Sequence, residues 1–347
     1  MSRNARCQLP LLALLAGIFP AAGADFFAPP ATNAAVRIVE VQGASLQNAF
    51  LADEAKVAAA FDSGLKALTG CADVSSAWRS LVRTNDVVGI KVFSAPGALS
   101  GTRPAVVAAI VRGLIAAGLP PAQIIIWDKR AADLRAAGFF EFTGRFGVRV
   151  AGAAEAGYEP TNFYLPESPV VGSLVWGDSE FGTKEAGLGK KSYVSKILAP
   201  MTKIISVAPL VNENAAGACG HLYGLALGSV DNTRRFEGDA DRLAVALPEI
   251  CALPGVGDRV ALFVTDALLA QYQGGPASSI QFSAVRDELW LGHDPVALDA
   301  LALRELGREC AAAGIPRPPV GGEIFTNAAL LQLGVNDLSR VRVEKVK

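Results

Sequence analysis

Along the chain, short apolar runs alternate with stretches of helical period. Runs at Val36 to Val41, Asp86 to Phe93 (DVVGIKVF), Gln123 to Trp127 ending in Asp128, Val148 to Ala151, Tyr193 to Leu198, Lys203 to Pro209 and Arg259 to Val264 ending in Thr265-Asp266 read as strands. The second is apolar almost throughout apart from Lys91, the pattern of a central strand covered on both faces. Between the runs, helices are expected at Glu54 to Leu68 (ended by Gly70), Ser75 to Val82, Pro104 to Ala117 (closed by Gly118), Ala131 to Ala137, Asp241 to Ala252, from Pro295 onward, and near Thr326 to Leu333. Strand, loop, helix and strand between 86 and 128 make a βαβ unit, so the sheet is at least partly parallel. The Val/Arg alternation of Val341 to Val346 predicts an edge strand. The expected fold is therefore α/β, a mixed and largely parallel sheet flanked by helices. Residues 36 to 347 form one domain in this reading, with an irregular, Gly-containing insertion at about 162 to 190.

The stretch Leu291 to Asp299 (LGHDPVALD) marks the start of the long helix. An Asp followed by Pro is a strong start signal, because the carboxylate accepts from an orphan N–H while the Pro ring supplies helical φ without needing a donor. Asp294 is thus an expected N-cap. Asp299 falls on the apolar side of this helix, where a carboxylate needs a hydrogen bond, a partner or a functional reason.

The first residues address the protein. Arg3 and Arg6 precede an apolar run from Leu9 to Ile18 that is too short to span a bilayer, and Ala22-Gly23-Ala24 forms a cleavage signature. Residues 1 to 24 read as a secretory signal peptide, residues 25 to 35 as a Pro- and Ala-rich tether, and the mature chain as periplasmic or secreted, with no transmembrane segment. Losing both arginines makes the chain more acidic than its formal −1, which argues against nucleic acid or an anionic membrane as partner. Four cysteines then remain, Cys71, Cys219, Cys251 and Cys310, with no C-x-x-C spacing. That spacing suggests neither an iron–sulfur cluster nor a zinc knuckle, and the sequence leaves any disulfide pairing open.

In open α/β sheets ligands bind beyond the carboxyl ends of parallel strands. Applied here, that rule collects Lys91, the small-residue loop from Ser94 through Gly97 to Thr102, Asp128, Asp266 and His293-Asp294. Asp128, Asp266 and Asp294 are candidate oxygen ligands for a divalent metal; Asp266, Asp294 and Lys91 are candidate catalytic groups. An Asp at a strand end is also the ordinary cap of the following turn or helix. Loop 94–102 could cradle an anion through backbone N–H groups, although it lacks a Walker G-K-[ST]. Cys219-Gly220-His221 could pair a nucleophile with a base, or simply pack.

Val88-Gly89-Ile90-Lys91-Val92, Ile124-Ile125-Ile126-Trp127-Asp128, Gly274-Gly275-Pro276 and Gly292 to Asp299 together resemble the domain-of-unknown-function 362 family, over residues 85 to 343. The resemblance implies an α/β fold without a settled reaction. Some members carry an added ferredoxin segment, which this chain lacks, so it implies no cluster here. Gly228, Val230-Asp231-Asn232 and Arg235 match the family pattern, which makes Asn232 and Arg235, with Ser94, Gly97, Thr102 and His293, candidate ligand contacts. The family's Lys-x-Asn is here Lys91-Val92-Phe93. Its Lys, His, Gly-x-Thr and Leu-Lys-Asn positions are Val211, Glu213, Gly217-Ala218-Cys219 and Leu222-Tyr223-Gly224. Two readings follow: an exported protein binding a small anionic or metal-bridged ligand at the strand ends, as a metal-assisted enzyme if it is catalytic, or a non-catalytic accessory protein of the cell envelope that engages another envelope protein.

Overall fold

The computed structural model describes residues 35–165, 191–316 and 320–347. The expected signal peptide, all but the last residue of the tether and most of the expected insertion lie outside these residues.

In chain order, strand β1 (Val36–Gln42) leads to the short ribbon of β2 (Gln47–Asn48) and β3 (Leu51–Ala52), then helices α1 (Glu54–Thr69) and α2 (Val74–Leu81). Asp53 and Asp73 cap these helices with side-chain bonds to their first-turn amides, and Gly70 closes α1 in the left-handed conformation that a Cβ disfavours. Next come β4 (Val88–Val92), α3 (Gly97–Ser100), α4 (Pro104–Ala116), β5 (Ile124–Asp128), α5 (Ala131–Ala136), α6 (Glu141–Phe146), β6 (Arg149–Gly152) and α7 (Ala153–Ala156). Strands β7 (Tyr158–Tyr164) and β8 (Ser192–Ser195) pair with each other as a separate ribbon. The chain continues through β9 (Lys203–Glu213), β10 (Gly217–Ala218), α8 (His221–Ser229), α9 (Ala240–Cys251), β11 (Val260–Gln271), β12 (Ser283–Gly292), α10 (Pro295–Ala312), α11 (Gly322–Leu330) and β13 (Val341–Val346).

Among the described residues the main sheet runs β13-β1-β12-β11-β9-β4-β5-β6, with β10 paired to the end of β9. Strands β11, β9, β4, β5 and β6 are mutually parallel; β12 is antiparallel to both its neighbours. The fold is thus α/β with a mixed, mostly parallel sheet, and the Val/Arg alternation at the end forms its edge. Side chains alternate between two apolar layers. Val88, Ile90 and Val92 of β4 pack with residues of α1, α2 and α4, whereas Ile125 and Trp127 of β5 pack with α8, α9, α10 and α11. Helix α4 is buried nearly all round, with α1 and α2 both packed against it.

Three departures from the sequence reading bear on the site. Strand β11 continues past Asp266 to Gln271, so Asp266 lies inside a strand and not at its end. Residues 193 to 198 give a short ribbon strand followed by a 3-10 turn, outside the main sheet. Most consequentially, Gly292 pairs opposite Phe263 near the start of β11, and β12 runs antiparallel to β11. His293 and Asp294 therefore emerge at the amino ends of the parallel strands, the end opposite Asp128. Among the described residues, no helix is long and apolar enough to cross a membrane.

Candidate functional site

After β4 the chain moves to β5 on one side, and after β9 it moves to β11 on the other. The order reverses between β4 and β9, and the loops leaving two such strands diverge and open a crevice at their carboxyl ends. A cleft of about 570 Å³ lies there. Phe93 and Ala95 line it from the end of β4, and Asp128, Lys129, Arg130 and Asp133 from the end of β5. Tyr223, Gly224, Leu227 and Gly228 come from α8, and Asp231 to Arg234 with Glu237 from the segment after it. Tyr158 and Pro276 complete opposite sides.

Beneath the cleft lies Lys91, only 2% exposed. Its position on β4 points it away from the layer holding Val88, Ile90 and Val92, toward α8. Its Nζ donates to Asp128 Oδ1 at 2.8 Å and to the Val92 carbonyl, and lies 5.5 Å from the centre of the Trp127 ring. Helix α8 can cross so closely because it presents glycine: a Cβ on Gly228 would stand 2.2 Å from Lys91 Cε. Asp128 is equally enclosed. Its Oδ1 also accepts from Lys129 N at 2.8 Å, and its Oδ2 accepts from Ser94 N and Ser94 Oγ, both at 2.7 Å. Four donors occupy a carboxylate with room for about four.

The three candidate metal ligands do not converge. Asp128 is filled as described. Asp266 points into the opposite layer, where Arg103 at the start of α4 donates its N–H to Oδ2 (2.9 Å) and its Nη1 to Oδ1 (2.7 Å), both partners nearly fully buried. Asp294 caps α10 through Ala297 N at 2.8 Å and ties down Val335 N at 2.9 Å, at the far end of the sheet. Among the described residues no group of three His, Cys, Asp or Glu side chains is gathered to hold a metal ion. The metal triad and the joint catalytic set of Asp266, Asp294 and Lys91 are therefore corrected: one acid is at the cleft, one on the other face, one at the other end.

The other expected contacts divide. Loop 94–102 closes upon itself: Gly97 N donates to Ser94 O, Gly101 N to Gly97 O and Thr102 N to Phe93 O. Thr102 is buried, its hydroxyl donating to Val207 O while accepting from Phe93 N, and Gly97 adopts φ +77° to open the single turn of α3. These amides are committed to the turn and form no anion cradle, and Ser94 orients Asp128. Asn232 does line the cleft, in a left-handed conformation (φ +45°) that Asn tolerates, with Nδ2 donating to Lys191 O. Arg235 instead donates to Ser192 Oγ and Tyr164 O and lies over the Tyr164 and Phe236 rings, pinning the β7–β8 ribbon. His293, at the opposite end, donates from Nδ1 to Ala261 O.

Cys219 and His221 do not act together. Cys219 Sγ donates to Asn212 O, and burial pushes its thiol well above the ordinary range. The His221 ring lies between Ser206 Oγ (2.9 Å) and Thr265 Oγ1 (3.2 Å), and burial lowers it to about 3. It is a neutral core imidazole. Asp299 receives His221 N at 2.7 Å and Leu222 N at 2.9 Å, so it anchors the amino end of α8. Burial raises its carboxyl to about 7. No two of the four cysteines are joined by a disulfide.

The sequence reading missed the polar wall beside Asp128. Lys129 Nζ donates to Thr233 Oγ1, which in turn donates to Glu237 Oε1, and Nζ stands 3.8 Å from that same oxygen. Burial is the main cause that lowers the Lys129 ammonium and raises the Asp133 and Asp231 carboxyls. Arg130 and Arg234 add exposed guanidinium groups, and Phe93 meets Tyr223 edge-on with ring centres 6.0 Å apart. Val230-Asp231-Asn232 carried the one available signal for this wall. The approach of Lys129 to Thr233, 104 residues away, had none.

Comparison with protein families and with curated proteins finds no match. Among solved structures, the chain is similar to the crystal structure of a protein from Thermotoga maritima, with 12% identity and a TM-score of 0.39 over 76% of this chain. The chain spans 59% of the length of that protein.

Proposed function

We propose that this chain is an exported binding protein or enzyme for a small anionic molecule held in the cleft at the carboxyl ends of β4 and β5. The observation that carries this reading is the placement of Lys129, Arg130 and Arg234 in the lining of a cleft at the strand-order reversal, above the buried Lys91–Asp128 pair. A planar guanidinium recognises carboxylate or phosphate with two parallel hydrogen bonds, and the mostly enclosed Lys129 adds a charge that water screens weakly. Lys91 acts from below: it keeps Asp128 compensated, so Asp128 can orient Ser94 and the Lys129 backbone without repelling an anion. The signature in residues 1 to 24 supports export to the periplasm or beyond. The pattern shared with the domain-of-unknown-function 362 family supports membership in a divergent form.

Thermal unfolding of the mature protein in the presence of phosphate, pyrophosphate, lactate, malate and succinate tests the reading. A ligand at a hundred times its Kd adds about 2.7 kcal/mol, enough to raise Tm by several degrees. At least one anion should do so, and an Arg130→Ala, Arg234→Ala double variant should lose the rise while keeping its own Tm. If no anion raises Tm, the reading falls and the accessory role takes its place.

A further inference from the structure

We infer that Lys129 is a carbonyl-reactive amine, and that the anion held in the cleft carries an aldehyde or ketone beside its carboxylate, as a 2-oxo acid does. This inference rests on the anion reading of the cleft and assigns it a substrate class and a chemistry.

The argument starts from which lysine can be reached. Lys91 is sealed under Gly228, its Nζ held by Asp128 and the Val92 carbonyl. Lys129 stands one residue beyond that pair, in the lining of the cleft, with its side chain 25% exposed: mostly enclosed, yet within reach of a molecule held there. Enclosure is what makes a lysine amine a nucleophile, because the ammonium loses hydration.

The second element is a route for protons. Carbonyl attack requires the ammonium to lose a proton, and dehydration of the carbinolamine requires one to be returned to the departing oxygen. Nζ donates to Thr233 Oγ1 and Thr233 Oγ1 donates to Glu237 Oε1. Glu237 lies at the mouth with 39% of its side chain exposed. A proton leaves Nζ for the hydroxyl as the hydroxyl proton passes to the carboxylate. The nitrogen lone pair then forms the C–N bond as the carbonyl π pair moves to oxygen, and that oxygen takes the proton which the attacking nitrogen sheds, giving the neutral carbinolamine. Glu237 then returns its proton through the Thr233 hydroxyl to the carbinolamine oxygen, the nitrogen lone pair forms the C=N bond as the C–O bond breaks, and water departs. In sum, ammonium and carbonyl give a protonated imine and one water, with Glu237 returned to its starting charge. Arg130 and Arg234 in the same lining supply the carboxylate contact.

The test is reductive trapping. The mature protein is incubated with glyoxylate or pyruvate and cyanoborohydride, and the secondary amine is located by peptide mass spectrometry. The expected result is modification concentrated on Lys129, ahead of the exposed Lys56 and Lys345, and its loss in Lys129→Arg. Glu237→Gln should slow trapping by about 100-fold, the scale of a positioned acid–base group. Lactate, which has the carboxylate but no carbonyl, should raise the Tm of the parent and leave no adduct on Lys129. Lactate binding with modification spread over exposed lysines overturns the amine and leaves the anion reading standing. Neither Tm rise nor trapping overturns both.

Discussion

The two ends of the sheet each bury aspartates, and they compensate them by different means. At the carboxyl ends of the parallel strands, Asp128 faces the ammonium of Lys91. At the opposite end Asp294, and deeper in that layer Asp299, are hydrogen-bonded by backbone amides, at the starts of α10 and α8 and, for Asp294, also at Val335. The difference teaches what each end can tolerate. A carboxylate fixed by a cation needs that cation whenever it is ionised, whereas one fixed by amides can accept a proton and stay in place. The first arrangement suits the wall of a binding cleft, where charge must persist; the second suits the joints of a scaffold.

The largest effect should come from removing the cation. Lys91→Met leaves Asp128 buried beside an empty partner and should cost about 3–5 kcal/mol, read from urea unfolding. Arg103→Met should cost a similar amount by stranding Asp266 on the other face. Adding Asp128→Leu to Lys91→Met should restore much of the loss. If Lys91→Met alone unfolds no more easily than the parent, the pair at the cleft floor carries no structural charge and the contrast between the ends disappears.

The amide-held end should respond to pH. Burial lifts Asp299 from 3.8 to about 7 and Asp294 to about 6, so the folded state binds these protons more tightly than the unfolded chain. Their stabilising effect is complete below about pH 4 and is lost as pH rises to about 7. For Asp299 the span corresponds to roughly 4 kcal/mol. Comparing parent with Asp299→Asn isolates it: the parent should hold its advantage in acid and lose it by neutral pH. A difference constant across that range would show that Asp299 does not change its protonation on folding.

The same substitution at two glycines, one under the cleft and one on α10, sharpens the contrast on a smaller scale. Gly228→Ala forces Lys91 from under α8 and should cost about 1–3 kcal/mol, the scale of overpacking. It should also weaken anion binding, since Lys91 would drag Asp128 with it.

Much of this architecture was legible in the sequence. Continuous apolar runs announced the central strands, and Asp294-Pro295 announced the start of α10, because both signals are local. Strand direction was not local. Nothing in Leu289 to Gly292 distinguishes a strand running with β11 from one running against it, so the rule that gathers ligands at carboxyl ends swept in His293 and Asp294 wrongly. Lys91 and Asp128 were found because a charge inside a buried strand is conspicuous. Lys129, Thr233 and Glu237 were missed because polar residues after a strand look like any loop until folding brings together segments a hundred residues apart.

The smallest effect is expected at Gly307, on α10. An added Cβ there meets nothing within 4 Å, and the residue sits in the interior of an 18-residue helix. Gly307→Ala removes backbone freedom from the unfolded chain without straining the folded one, and should stabilise by about 0.5–1 kcal/mol. Tm should rise slightly while anion-induced shifts remain those of the parent, because Gly307 does not line the cleft. A Gly307→Ala protein that is more stable but binds anions differently would mean that α10 and the cleft are energetically coupled, with Asp299, which holds the amino end of α8, as the contact between them.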